Sequence, residues 1–246
     1  MASDNSEATI PTATPILGPD DLQSRVLHRD GLMLIIDKPA GLPVHAGPRK
    51  GPNLEELFDG LRYGLPHPPA LAHRLDRDTS GCLVLGRHRK ALSRLGKLFQ
   101  AGSVEKTYWA VVAGIPPSPE GRIDLALAKR STERGWWMKP DPAGQAAVTD
   151  YRVLGTGDGL AWLELHPRTG RTHQIRVHCA SLGTPVLGDP IYGPDPKKDG
   201  VLHLHARHVR VPLYPARAPI EATAPAPPHL QAALTVCGWQ PDPVAA

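Results

Sequence analysis

Cysteine is scarce in this chain. Cys82, Cys179 and Cys237 are the only three in 246 residues, they lie far apart, and no two form a C-x-x-C pair. This argues against a disulfide framework and a zinc-finger spacing, and it suits a reducing cytoplasm. Aromatic residues are only 5% of the chain and Phe occurs twice. A core must therefore be built mainly from Leu, Val, Ile and Ala. No apolar run approaches the roughly 20 residues a membrane-spanning helix needs, so no membrane partner is expected. The first twenty residues hold Asp4, Glu7 and Asp20 but neither Lys nor Arg, which is not the basic start of a secretory signal. Their Ala, Thr and Pro content predicts a flexible tail over residues 1–20. One folded domain is expected over 21–238, with a short C-terminal tail over 239–246.

Turn formers, by contrast, are plentiful: 28 prolines and 24 glycines. Periodic apolar segments lie between them, so the excess predicts many turns rather than disorder. The net charge is +4, mildly basic and compatible with a polyanionic partner.

The apolar run Leu32-Met33-Leu34-Ile35-Ile36 predicts a buried strand. It is preceded by a possible pairing strand from Arg25 and broken by Lys38-Pro39-Ala40-Gly41. Asn53 is placed to cap a short helix through Leu54, Leu57 and Leu61. A short strand is expected at 83–85. Residues 90–100 read as an amphipathic helix, with Leu92, Leu95 and Phe99 on one face and Lys90, Arg94 and Lys97 on another. Strands are expected at 106–112, 121–128, 147–155, 160–165, 202–211 and 220–224. Residues 130–144 are polar and turn-rich despite Trp136 and Trp137. A helix capped by Thr172 should run to Leu182, closed by Gly183, and another should span 230–236. Many strands without a regular βαβ rhythm predict an α+β fold with a mixed, largely antiparallel sheet.

Two charged motifs stand out. His73-Arg74-Leu75-Asp76-Arg77-Asp78-Thr79-Ser80-Gly81 sets a carboxylate between two arginines. Opposite charge keeps a carboxylate ionised, which suits a nucleophile or base better than an acid. The same pattern also describes a surface loop of ion pairs. His166-Pro167-Arg168-Thr169-Gly170-Arg171-Thr172-His173-Gln174-Ile175-Arg176-Val177-His178 combines a helix start with arginines, a plausible phosphate site. Arg176 falls one turn into that helix, where a guanidinium could meet a carboxylate. His203, His205 and His208 suggest a metal cluster, but strand alternation puts His208 on the opposite face, so no metal is expected there.

Together these motifs resemble the RluA-type family of RNA pseudouridine synthases. The matching pieces run in order along the chain. They are Asp37-Lys38-Pro39-Ala40-Gly41-Leu42-Pro43-Val44-His45, the His73 motif, Lys106-x-Tyr108 and the 169–178 motif. Leu182-Gly183-x-Pro185-x-x-Gly188-Asp189-x-x-Tyr192-Gly193 and Leu204-His205-Ala206 complete the set. The resemblance implies a central mixed sheet with flanking helices and loops around an RNA-binding cleft, and isomerisation of uridine to pseudouridine in rRNA, tRNA or both by a monomer without a cofactor. It implies that Asp76 is the catalytic aspartate, that Arg176 salt-bridges it and that Tyr108 packs against the target uracil. Arg74 would help open the RNA, and His73, Arg171, Thr172 and Gln174 would contribute to binding it. Many relatives carry an N-terminal S4-type RNA-binding domain. Here the resemblance begins near Val26, and target choice is expected to rest on the catalytic domain and on residues 130–144. A silent RNA-binding module would not need Asp76, Tyr108 and Arg176 together. A glycosidase would need two carboxylates set across one bond.

Overall fold

The computed structural model describes residues 18–46, 51–130, 137–194 and 200–241. The chain opens with α1 (Pro19–Ser24), then β1 (Val26–Arg29), β2 (Met33–Lys38), a 3-10 helix (Leu54–Leu61), β3 (Ala70–Leu71) and β4 (Ser80–Gly86). Next come α2 (Arg89–Gln100), β5 (Glu105–Ala113), β6 (Glu120–Asp124), β7 (Leu127–Lys129), β8 (Met138–Pro140), β9 (Val148–Gly157) and β10 (Leu160–Pro167). The last elements are α3 (Gln174–Ser181), β11 (Leu204–Val211), β12 (Ile220–Thr223) and α4 (Pro228–Val236). One ten-stranded sheet runs β1-β2-β4-β11-β5-β10-β9-β6, with β12 on β11 and β3 on β4, while β7 and β8 form a separate hairpin. Every pairing of the large sheet is antiparallel except β11 with β4. The expected α+β class with a mixed, largely antiparallel sheet is what the chain forms.

The sheet is covered on both faces, and the sequence shows why. In β2, Met33, Leu34, Ile35 and Ile36 are all fully buried. Leu34 and Ile36 pack with the 3-10 helix residues Leu54, Phe58 and Leu61. Met33 and Ile35 point the other way, toward Leu95 of α2 and Val209 of β11. A strand buried on both faces reads as a continuous apolar run rather than an alternating one. In β5 the alternation is functional: Tyr108, Ala110 and Val112 face Ile175 and Cys179 of α3, while Trp109 and Val111 face Leu230 and Leu234 of α4. The period-2 geometry thus sends Tyr108 to the α3 side.

The parallel junction between β4 and β11 depends on Gly81. Its φ is +103°, and a Cβ there would collide with the backbone of Ala206. Only glycine allows both the left-handed backbone and that approach. The junction sets the end of the His73 motif against β11, one strand away from β5.

Several expectations shift. Residues 19–24 are helical, so ordered structure begins before residue 21, and Trp239 packs with Leu230 and Leu234 rather than lying in a tail. Residues 1–17 and 242–246 of the two expected tails lie outside the described residues. The strand expected at 121–128 divides into β6 and β7, and β8 pairs with β7 inside the stretch read as turn-rich. Trp136 lies outside the described residues. On α2, Ala91 and Leu95 are the buried residues, and Leu98 and Phe99 pack beside them.

Candidate active site

Three separate segments converge on one open cleft: the loop before β4, the start of β5, and the loop leading into α3. Asp76, Tyr108 and Arg176 all line it, as do Arg74, Lys106 and Arg171. The geometry therefore gathers the three residues singled out for chemistry, although they are spread across the sequence.

The Asp76 loop is held from both ends. His73 Nε2 accepts the backbone N–H of Val84 at 2.9 Å, and its ring stacks on Phe99 with centroids 4.4 Å apart. On the far side, Lys38 is fully buried and donates to the carbonyls of Pro39 (2.7 Å), Leu42 (2.8 Å) and Arg77 (2.8 Å). A buried ammonium is costly unless its donors are satisfied. Here three carbonyls take three donors, tying the turn after β2 to the residue following Asp76. Arg77 Nε adds a bond to Gly41 O at 3.0 Å. This is a role for Lys38 that its place in a quoted motif did not reveal.

Between these anchors the Asp76 side chain is 23% exposed. Among the described residues its carboxylate accepts no hydrogen bond, and the side-chain nitrogen that approaches it is His173 Nε2 at 3.9 Å. The expected Arg176–Asp76 salt bridge does not form. Arg176 instead makes a two-point pair with Asp189, Nε–Oδ2 and Nη2–Oδ1 both at 2.7 Å. Asp189 also accepts the backbone N–H groups of Ile191 (2.9 Å) and Tyr192 (3.0 Å). Burial alone would raise the Asp189 carboxyl, but these four hydrogen bonds hold it below the ordinary carboxylate range. Arg176 is buried and held above its ordinary range by Asp189, against the opposing effect of burial. Asp76 contributes a smaller attraction. Asp76 is thus a neighbour of the Arg176 charge, not its partner.

His173 belongs to the 169–178 motif. It sits just before α3 in the left-handed region at φ +53°, where histidine is one of the more tolerant side chains. Nδ1 lies 2.9 Å from the Tyr192 hydroxyl, which also accepts the Met138 backbone N–H at 2.9 Å. Burial lowers its pKa below that of an ordinary imidazole, and the Asp76 charge only partly offsets this. The ring is therefore neutral at pH 7.

Other expectations divide. Arg74 and Arg171 are exposed on the cleft rim, and Arg171 Nε donates to Ala146 O at 3.0 Å. Lys106 lies inside the rim near Thr169 O at 3.4 Å, and burial lowers its pKa. His73 does not reach the cleft; it is committed to Val84 and Phe99, and burial pushes its pKa down to about 3. Thr172 is exposed, lies off the cleft lining and does not cap α3, which begins at Gln174. Gln174 is buried and spends its amide on protein. Its Oε1 accepts from Thr169 Oγ1 (2.7 Å) and Arg171 N (3.0 Å), and its Nε2 donates to Val148 O (2.9 Å) and Thr149 Oγ1 (3.0 Å). It shapes the 169–171 loop and leaves no donor or acceptor for a ligand. The three nearby histidines have separate partners: His203 with Val201 O, His205 with Ser80 Oγ, and His208 with Glu221.

Tyr108 is half-buried at the cleft wall. Burial raises its phenol pKa above the ordinary value, and the negative charge of Asp76 adds to the rise. It therefore stands as a neutral phenol presenting a ring face and a hydroxyl. A carboxylate free of hydrogen bonds, an aromatic face and a rim of arginines and lysine form a site for an anionic substrate with a flat ring.

Comparison with known proteins agrees. Residues 32–181 match the family described as RNA pseudouridylate synthase. The chain is 43% identical over 210 residues to an uncharacterized RNA pseudouridine synthase of Zymomonas mobilis, covering 84% of this chain and 95% of that protein. It is 39% identical over 178 residues to the ribosomal large subunit pseudouridine synthase D of Pseudomonas aeruginosa, covering 70% of this chain and 54% of that one. The structure of human RNA pseudouridylate synthase domain containing 4 superposes with a TM-score of 0.76 at 29% identity, covering 91% of this chain and 97% of the human one. The chain belongs to the RNA pseudouridylate synthase family, the isomerases that convert uridine in RNA to pseudouridine.

Proposed function

We propose that this synthase acts on uridines in structured ribosomal RNA, with Asp76 as the reacting carboxylate. The observation that carries the reading is the state of Asp76. It stands in the cleft, among the described residues, with no hydrogen bond to its carboxylate and with the cations Arg176, Lys106 and Arg74 lining the same cleft. The ribosomal target is favoured by the name of the Pseudomonas relative, and tRNA is the alternative within the same chemistry.

The reaction breaks the N1–C1′ bond, turns the uracil, joins C5 to C1′ and releases the C5 proton. There is no net redox change and no phosphoryl transfer. Asp76 is suited to attack C1′, to attack C6 of the ring, or to remove the 2′ proton. Each needs an ionised carboxylate whose lone pairs are not consumed by hydrogen bonds. The Arg176 charge beside it favours the first condition. The second is met by the absence of a direct partner.

A target uridine must leave its stack, which costs a few kcal/mol. The Tyr108 ring offers a face for the flipped uracil, and its neutral hydroxyl is a donor for a uracil carbonyl. A phenol held protonated is a poor resting base, so stacking and hydrogen bonding are the stronger roles for Tyr108. Arg74, Lys106 and Arg171 on the rim are placed for flanking phosphates.

The test is tritium release from C5-labelled uridine by the pure protein, on ribosomal RNA and tRNA separately, followed by mapping of the product. Release from ribosomal RNA at a discrete uridine supports the proposal. Release from tRNA alone corrects the substrate, and release from neither RNA overturns the reading.

A further inference from the structure

The Asp76 carboxylate sits at the end of a chain of contacts that starts outside the cleft. The Met138 backbone N–H, in β8, donates to the Tyr192 hydroxyl at 2.9 Å. That hydroxyl lies 2.9 Å from His173 Nδ1, and His173 Nε2 lies 3.9 Å from Asp76 Oδ2. Each member is itself held. The Tyr192 ring carries the Arg176 guanidinium 5.2 Å from its centroid and packs edge-on against His173 at 5.6 Å. The Tyr192 backbone N–H is bound to Asp189. Met138 and Tyr192 pack with Leu127 and Val177. The left-handed backbone at His173 turns the chain into α3 with the ring directed back over the cleft.

We propose that His173 and Tyr192 are positioning residues for Asp76: Tyr192 fixes the imidazole, and the imidazole Nε2 restrains the carboxylate in the cleft. The inference rests on the reading of Asp76 as the reacting group. Its physical basis is the spacing. At 3.9 Å the imidazole is too far to consume a carboxylate lone pair in a hydrogen bond, yet near enough to limit where the carboxylate swings. Arg176, which a sequence reading assigns to this task, is already engaged by Asp189. Among the described residues, the groups facing His173 include Asp76 and Asp78 from the motif loop, Arg176 from α3, and Asp189 and Tyr192 from the loop after it.

Two substitutions at His173 separate positioning from simple structural support. Glutamine reaches the place of Nε2, whereas asparagine reaches only the place of Nδ1 and suits the left-handed backbone better. The rate constant of tritium release is measured under single-turnover conditions with saturating enzyme, alongside the RNA Kd. If Nε2 restrains Asp76, His173→Gln keeps a rate several-fold above that of His173→Asn. His173→Asn and Tyr192→Phe then fall roughly 10- to 100-fold with Kd unchanged, the scale expected for a misplaced reacting group. If His173→Asn matches or exceeds His173→Gln, or Tyr192→Phe keeps the wild-type rate, the inference fails. Asp76→Asn is run in parallel. Activity retained there removes the reading of Asp76 itself, a failure distinct from normal rates in the His173 and Tyr192 variants alone.

Discussion

Two carboxylates lie within the influence of one buried arginine, and they are treated in opposite ways. Asp189, in the loop after α3, is buried and accepts four hydrogen bonds, two from Arg176 and two from backbone N–H groups. Among the described residues Asp76, in the loop before β4, accepts none and is approached by His173 at 3.9 Å. The difference teaches where the chemistry is placed. A carboxylate whose lone pairs are filled is a structural ion; one kept near positive charge but outside hydrogen-bonding reach retains lone pairs for a substrate. Arg176 serves both, as a locked partner for Asp189 and as a fixed positive field for Asp76.

The comparison can be broken most severely at the open carboxylate. Asp76→Asn keeps the size and removes the charge. Its rate of tritium release should fall by on the order of 10⁴-fold, as when a group acting directly in chemistry is removed. Thermal stability should be unchanged, since no hydrogen bond to Asp76 is lost. Asp189→Ala should show the reverse emphasis. It leaves the Arg176 guanidinium buried without its counter-charge, a change that costs roughly 3–5 kcal/mol. Chemical denaturation should register that loss directly.

His73 sharpens the contrast by pH. Burial pushes its pKa down to about 3 from 6.5. Between those values the unfolded chain takes up a proton that the folded chain refuses, so this contribution is complete above pH 6.5 and is lost as pH falls toward 3. His73→Gln keeps an acceptor for the Val84 N–H and removes the titration. Its stability should decline less steeply than wild type below pH 6.5 in denaturant melts at stepped pH. The smallest effect belongs to the rim. Arg171→Ala should weaken RNA binding and reduce the salt dependence of log K by about one unit of slope, measured by titration at several salt concentrations.

Much of this was legible in the sequence, for reasons that differ by residue. Asp76, Tyr108 and Arg176 could be named because they stand in compact motifs, and the structure brings all three to one cleft. The partner of Arg176 could not be named. Sequence spacing does not say which of two carboxylates reaches a guanidinium, and Asp189 becomes the answer only once the loop after α3 folds back. Threonine is a common cap, so the sequence points to Thr172 as the helix start. The backbone instead turns at His173, and the Gln174 side chain reaches back to organise the preceding loop. His73 resembled a cleft residue because it adjoins Arg74 and Asp76 in the motif. In three dimensions its ring goes to Phe99 of α2. The division of 121–128 into β6 and β7 was hidden because apolar residues continue across the break. Gly81, by contrast, reports its constraint openly once β11 is placed: no side chain fits against Ala206.

The central claim is that the unfilled carboxylate performs the chemistry and the filled one does not. Its most direct test is single-turnover tritium release from C5-labelled uridine in RNA by Asp76→Asn, with folding checked by a melt on the same sample. The account predicts a wild-type melt and no measurable release. Release near the wild-type rate from that folded variant would contradict it.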